Sequence, residues 1–403
     1  MGLAQSPKTV TNGLVFHYDQ NNIKSYKGPA IQNKLMNITS ASDYTATGET
    51  YSSGTEYVDI PQIGRILTTY NIPQNNYTSF SPNSASCCPN LFRYTGTWGS
   101  GFTVSPSTLY TYGIVYKVLS GYTNSNYMYR YEFTASGGSY VGEAGVHSDS
   151  NRIHLGDGWY WAWGTFTTQS TTNWIQYAGA WYYRYSDKTD KLSIAKVMMV
   201  QGDYTQLHPK YWPDVNTTRS DTTAFLDPIG KNTITATSLA YANTGAPLFN
   251  GTSSYLSVPI ATSTTRTVCI TYKLNNPGTG WGPLWRSDDW KERIFPNTIT
   301  LINSNGTYYN LNGPPSNTSV VHIAYSYNGA TAKSYLNGVL QSNITMDGLM
   351  DSGTYTYNFG RQAGGSTTAF VDMELYCVQF YNTQLTDEEV LQNFNVLRGR
   401  YGL

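Results

Sequence analysis

With 403 residues the chain is long enough for two domains, each with its own core. Only 12% of the residues are charged, about half the usual share, and 25 Lys and Arg balance 25 Asp and Glu. There is no overall field and no basic run, so neither nucleic acid nor an anionic membrane surface is an expected partner.

In place of charge the chain carries 36 Tyr and 37 Gly, with abundant Thr, Ser and Asn. That mixture favours strands joined by tight turns over long helices, and the 15% aromatic content supplies the apolar surface that a disordered chain lacks. The first twelve residues contain no apolar leader, and no run of about 18 apolar residues follows. The expectation is a protein made in a cytosol, without classical export and without membrane insertion.

Residues 39–216 are dense in Tyr and Trp. The Tyr-rich run YTNSNYMYRY at 122–131 reads either as strand or as a contact surface, since tyrosine gives large area at low entropic cost. In WYWAWGTF at 159–166 strict alternation puts Trp159, Trp161 and Trp163 on one strand face. That face is either sandwich core or an aromatic platform for a pyranose ring, with Trp161 and Trp163 as its candidate ligand residues. Residues 180–185 repeat the device with Trp181, Tyr183 and Tyr185 on one side. Lys191–Gln201 reads as a buried strand, and HPKYWPD at 208–214 ends the module, because two prolines cannot sit inside a central ladder.

From about residue 220 strands recur every ten to fifteen residues. Five Asn-Gly dipeptides, beginning at Asn250, Asn305, Asn312, Asn328 and Asn337, punctuate them as hairpin signals. Val320–Tyr327, 332–336 and the two Asn-Gly turns that follow them predict an antiparallel meander. Cys269 and Cys377 fall in strand-like segments and read as small buried thiols; Cys87 and Cys88 are adjacent, and no zinc-ligand spacing appears. WGPLWRSDDW at 281–290 combines three tryptophans with a guanidinium fork and acceptors. Read as a loop, it makes Trp281, Trp285, Arg286, Asp288 and Trp290 candidate ligand-binding residues.

For catalysis there is little. The five histidines show no metal-ligand spacing, and no nucleophile elbow exists. Asp288, Asp289 and Glu292 are the nearest approach to facing carboxylates, but Arg286, Lys291 and Arg293 are interspersed with them, so the cluster reads as a charged surface loop. No catalytic residue is assigned. Near the C-terminus Thr386 and Glu389 form a capping box, and Val390, Leu391, Phe394 and Leu397 at helical spacing predict a helix docked on a sheet.

This last stretch, FYNTQLTDEEVLQNF at 380–394 with Arg400 and Tyr401, resembles the closing strand and helix of concanavalin A-like, laminin-G-type jelly-roll domains common in phage structural proteins. FNGTSSYLSV at 249–258 resembles an early strand of that fold, and YLNG at 335–338 its mid-domain hairpin. NGLVFHYDQN at 12–21, with Lys24 to Tyr26, resembles the first strand. The likeness stops near 38 and resumes near 220. The resemblance therefore implies an all-β chain of two jelly-roll β-sandwiches, one inserted in the other, with a short C-terminal helix. Residues 1–38 plus 217–403 would form the lectin-like domain. Residues 39–216, with GDGWY at 156–160 and LSIAKVMMVQ at 192–201, would form an inserted sandwich that resembles carbohydrate-binding modules.

The family gives architecture more firmly than activity. What it implies here is a non-enzymatic bacteriophage virion surface protein: a capsid decoration, head fibre, tail fibre or baseplate-peripheral subunit. Its partners would be other virion proteins and host-surface or environmental glycans, bound by a homo-oligomer for which a trimer is the expectation. A cellular carbohydrate-binding lectin is the first rival and a polysaccharide-degrading enzyme the second. Laminin-G-type domains often carry Ca2+, but no D-x-D-x-D-G run is present, so no metal ligands are assigned and no other cofactor is expected.

Overall fold

The period-two patterning is realised as β-structure in the computed structural model, which describes residues 8–22, 24–28, 56–60, 62–68, 92–93, 102–120, 127–135, 139–147, 151–179, 191–212, 224–277, 284–362 and 369–403. The chain divides into two units, Met1–Ala30 with Ser220–Leu403, and Ile31–Arg219. Strand β1 (Leu14–Asp19) belongs to the first unit.

The second unit contains β2 (Glu56–Ile60), β3 (Gly64–Thr68), β4 (Phe92–Arg93), β5 (Phe102–Thr103), β6 (Leu109–Ser120), β7 (Tyr127–Ala135), β8 (Tyr140–His147), β9 (Arg152–Gly156), β10 (Trp159–Thr167), β11 (Thr172–Gly179) and β12 (Lys191–Gln201). One sheet runs β12-β6-β10-β9, another β4-β11-β7-β8 with β5 also on β11, and β2 pairs with β3. The segment expected as a buried strand is β12, and its Met198, Met199 and Val200 are buried. Of the Tyr-rich run, residues 127–131 lie in β7 and 122–126 fall outside the described residues, as do 180–185, Cys87 and Cys88.

The first unit continues with β13 (Thr235–Thr237), β14 (Ala240–Tyr241), β15 (Pro247–Asn250), β16 (Tyr255–Thr262), β17 (Arg266–Leu274), β18 (Trp285–Ser287), β19 (Glu292–Phe295), β20 (Thr298–Ile302), β21 (Tyr308–Asn312), β22 (Val320–Tyr327), β23 (Thr331–Leu336), β24 (Val339–Thr345), β25 (Gly353–Phe359), β26 (Asp372–Tyr381) and helix α1 (Asp387–Tyr401). Its eight-stranded sheet has the order β14-β15-β26-β17-β22-β23-β24, with β1 also on β26. Its seven-stranded sheet has the order β13-β16-β25-β18-β19-β20-β21. β1 pairs antiparallel with β26 from Leu14 opposite Tyr381 to Asp19 opposite Cys377, while β15 pairs with β26 at Asp372 to Glu374. The two short strands thus share out the length of β26.

Aromatic residues join the sheets. Trp285 of β18 is stacked on Tyr357 of β25 with ring centres 5.0 Å apart, and it meets Tyr325 of β22 at 5.7 Å and Phe380 of β26 at 5.6 Å. Trp285 is fully buried at this centre, and Cys269 and Cys377 are free thiols buried in the same unit.

The turns follow the sequence unevenly. Asn337-Gly338 is a two-residue hairpin turn between β23 and β24 with φ of 50° and 77°, as a type I′ turn demands. Asn305-Gly306 and Asn328-Gly329 also join paired strands. Asn250-Gly251 instead carries the chain from β15 in one sheet to β16 in the other, and Asn312-Gly313 ends β21 without a positive φ at Gly313. Asn-Gly marks a reversal, and the flanking strands decide whether the reversal becomes a hairpin.

Helix α1 begins with the expected capping box: Thr386 Oγ1 accepts from Glu389 N at 3.2 Å, and Glu389 Oε2 accepts from Thr386 N at 2.9 Å. Its buried face differs from the expected one. Leu391 is 42% exposed, and Asn393 is buried beside Val390, Val396 and Leu397. Asn393 earns its burial by bonding: Oδ1 accepts from Val10 N and Nδ2 donates to Tyr381 Oη, both at 2.9 Å. Tyr381 in turn donates to Val10 O at 3.1 Å, so both backbone groups of Val10 are satisfied by the C-terminal elements.

His322 of β22 lies near Phe394 of α1, with ring centres 5.9 Å apart, and neither of its ring nitrogens has a hydrogen-bond partner among the described residues. Burial pushes its pKa down from 6.5 to about 4. The unfolded chain therefore takes up a proton over that interval that the folded chain refuses. Stability is full above pH 6.5 and is lost as pH falls toward 4, by about 3 kcal/mol from this residue. His322→Leu is expected to flatten that part of the acid dependence, read as urea midpoints at several pH values. An unchanged slope between pH 6.5 and 4 would contradict the assignment.

Candidate functional site

Residues 284–293 form a surface loop only at their centre. Trp281 lies outside the described residues, but Trp285–Ser287 forms β18 and Glu292–Phe295 forms β19, a hairpin held between β25 and β20. Alternation along it sends charge in both directions. Trp285 lies opposite Ile294 and, with Glu292, faces the core; Arg286, opposite Arg293 and Asn358, faces outward. The expectation of a charged, solvated loop holds for the turn at 288–291 and is corrected for its flanks: Arg286 is 1% exposed and Glu292 is 2% exposed.

Inside, Glu292 is committed to the sandwich. Arg266 Nη1 lies 2.5 Å from its carboxylate, and the Tyr325 hydroxyl donates to it. Arg266 also donates to Tyr357 Oη at 2.9 Å and to the Asp351 carbonyl. Burial pushes the Glu292 pKa up, against the pull of Arg266 and the Tyr325 hydroxyl. This pair ties β17 and β22 of one sheet to β19 and β25 of the other. Both side chains are buried within the unit.

Outside, the hairpin tip is clamped by short-range bonds. Ser287 Oγ donates to Asp289 Oδ1 at 2.5 Å, Lys291 N donates to the same oxygen at 3.2 Å, and Glu292 N donates to Ser287 Oγ at 3.1 Å. Asp288 N is anchored on Thr356 O at 2.9 Å. Within this clamp Trp290 adopts a left-handed φ of 70°, uncommon for a bulky residue, and remains 37% exposed. Its ring covers Arg286, whose guanidinium carbon is 3.2 Å from the ring centre.

Arg286 is thus a cation held under an indole. Its Nε and Nη2 atoms are buried and have no acceptor among the described residues, and Arg293 Nε opposite is in the same condition. Burial, then the neighbouring Arg293 charge, lower the Arg286 pKa to about 10, with Asp289 opposing. The group stays charged at neutral pH, and its charge has no carboxylate partner among the described residues. By contrast Lys291 is paired with Asp351.

The structure brings Arg286, Asp288 and Trp290 together at one hairpin tip, with Asp288 exposed there, and sends Trp285 into the core. Arg361 and Asn358 were not singled out from sequence. Arg361 Nε donates to Asn358 Oδ1 at 3.1 Å, and its guanidinium carbon lies 3.4 Å from the ring centre of Tyr255. Their only signal is register, because β25 lies about 70 residues from β18 in sequence and no local pattern links them.

In the second unit Trp159, Trp161 and Trp163 alternate as expected, but their face is roofed. Trp161 is 5% exposed, with His208 at 5.7 Å and Trp212 at 6.4 Å between ring centres. Trp212 packs on Gly113, where a Cβ would collide with its ring, and its Nε1 donates to Leu207 O at 2.9 Å. The segment read as an exit thus folds back as a 3-10 turn, Pro209–Tyr211, over the tryptophans. Trp161 is core rather than platform, and Trp163 is half-buried with its ring 4.6 Å from that of Trp161. Among the described residues no group of three or more His, Cys, Asp and Glu side chains is placed to hold a metal ion.

No curated protein matches this chain. Among solved structures it is similar to the binding domain of botulinum neurotoxin DC, solved with rat synaptotagmin II, at 13% identity over 44% of this chain and 50% of that one, with a TM-score of 0.36. It is also similar to the receptor-binding domain of botulinum neurotoxin C/D mosaic serotype, at 14% identity over 43% and 49% of the two chains, with a TM-score of 0.35. The match thus spans about half the length of those chains. Residues 250–391 match the laminin-G-type family model described as the concanavalin A-like lectin/glucanases superfamily.

Proposed function

We propose that this chain is a non-catalytic adhesive protein of the bacteriophage surface, a lectin-like sandwich interrupted by a second β-sandwich, which holds glycans at the tip of the β18–β19 hairpin. The observation that carries the reading is the exposed Trp290 on a clamped turn, backed by Arg286 and flanked by the exposed Asp288. A sugar site needs an aromatic face and orienting polar groups, and this tip presents both on the unit that matches a lectin-type family.

The buried carboxylates among the described residues support binding over hydrolysis, because each is engaged. Asp19 holds Arg400 at 2.7 Å and Tyr401 at 2.6 Å, Asp227 holds Asn232 Nδ2 at 2.8 Å, and Glu292 holds Arg266. Placement on a virion rests on the low-charge, Tyr-rich composition and on the sequence likeness to phage structural domains. Repetition on a particle, as trimers or another closed oligomer, would make a weak site useful through multivalency.

The test is a glycan array probed with the chain displayed on multivalent beads. Wild-type beads are expected to be retained on a subset of glycans, and Trp290→Ala beads to lose at least about tenfold in apparent affinity. That substitution also removes the cover of Arg286, so the unfolding free energy is measured beside it and is expected to fall by no more than about 1–2 kcal/mol. Equal retention of the two proteins would remove the hairpin tip from the account.

A further inference from the structure

We infer that the hairpin tip selects acidic saccharides, pyranosides bearing a carboxylate, with Arg286 as the carboxylate's seat and Trp290 as the cover that gives way to it. The inference deepens the glycan reading and depends on it.

A buried arginine whose guanidinium edge lacks an acceptor is costly, and natural structures rarely leave one without a reason. Here Nε and Nη2 of Arg286 are both without an acceptor among the described residues, and Arg293 is its cross-strand neighbour. Two like charges opposite one another on a hairpin repel, so the pair costs the free protein stability that an arriving anion would restore. None of the acids close by accepts from these two nitrogens, although the Asp289 charge favours the cation. Asp289 is spent on Ser287 and the Lys291 amide, Asp351 is engaged by Lys291, and Asp288 is exposed.

The planarity of the guanidinium selects the anion. Nε and Nη2 form a planar edge, which matches the two oxygens of a carboxylate in a bidentate pair. Trp290 now occupies the face of that guanidinium, a contact weaker than a charge-assisted hydrogen bond. Its left-handed backbone and partial exposure put the indole where it can move off the guanidinium face and stack on the sugar while the carboxylate pairs with the Nε and Nη2 edge. Asp288 is then placed to accept from a ring hydroxyl.

The experiment compares saccharides that differ only in the charged group: oligogalacturonate against its fully methyl-esterified form, and sialyllactose against its methyl ester, titrated into the full-length chain with tryptophan fluorescence and calorimetry as readouts. The expected result is at least tenfold tighter binding of an acidic member over its neutral counterpart, with a fluorescence change that Trp290→Phe reduces. Arg286→Gln should abolish the preference, and Arg286→Lys should restore it only in part because lysine offers no planar edge. Arg286→Gln removes an unpaired buried cation, so the variant is expected to fold, and a native circular-dichroism spectrum checks that. Acidic and neutral members bound alike, with both requiring Trp290, would overturn the acid preference and leave the glycan reading standing. No binding of any member, together with no effect of Trp290→Ala on the array, would remove both. A preference that survives Arg286→Gln would overturn the assignment of the seat.

Discussion

Removing residues 1–28 is expected to leave the C-terminal half of the chain without a cooperative unfolding transition. β1 is the neighbour of β26 along residues 377–381, and its loss opens that edge of a central strand. Phe16, Tyr18 and Tyr26 are at most 2% exposed and Val10 is 7% exposed, and burying four such side chains is worth roughly 6–12 kcal/mol. That is comparable with the whole net stability of a domain, about 5–15 kcal/mol. The deletion also strips partners from distant residues: Arg400 and Tyr401 lose Asp19, Asn393 and Tyr381 lose Val10, and the Gly245 carbonyl loses the Tyr26 hydroxyl. Calorimetry of a fragment spanning 217–403, with and without residues 8–28 fused through a flexible linker, measures the effect. Cooperative melting of the bare fragment at the temperature of the fused one would refute it.

Breaking the Arg266–Glu292 pair from one side is expected to cost about 3–5 kcal/mol, because it strands a buried charge. Glu292→Ala leaves Arg266, 1% exposed, with only neutral acceptors, the Tyr357 hydroxyl and the Asp351 carbonyl. Arg266→Ala leaves the carboxylate with the Tyr325 hydroxyl as its hydrogen-bond donor. Replacing both, as Arg266→Met with Glu292→Leu, removes the two desolvation costs together. The double variant is therefore expected to be much closer to wild type than either single one. Urea midpoints of the four proteins form the cycle, and additive single effects would show that the pair is not coupled.

Local chemistry was the legible part of this fold. The capping box at Thr386, the type I′ turn at Asn337-Gly338, the buried thiols and the alternation of Trp159, Trp161 and Trp163 each depend on residues within a few positions of one another, and each is present. The likeness of residues 12–26 to a first strand pointed to β1, which now lies against β26. What sequence could not supply was depth. Six charged residues between Arg286 and Arg293 read as a solvated loop because their partners are remote: Arg266 and Tyr325 come from the other sheet, and Asn358 comes from β25. The sequence left the tryptophan face as either core or platform because its roof, Trp212 with His208, arrives about fifty residues later and by a turn rather than by periodicity. Leu391 fits the helical spacing of a docked face, yet Asn393 took the buried position through hydrogen bonds that no hydropathy pattern encodes.

The claim that matters most is that this surface holds saccharides and leaves their bonds intact. Beads carrying the full chain, incubated for a day with acidic and neutral polysaccharides, can be assayed for retained polymer and for new reducing ends in the same tubes. The expected result is retained polymer that falls away with Trp290→Ala and a reducing-end count equal to that of bare beads. Reducing ends that accumulate in proportion to the protein would contradict it.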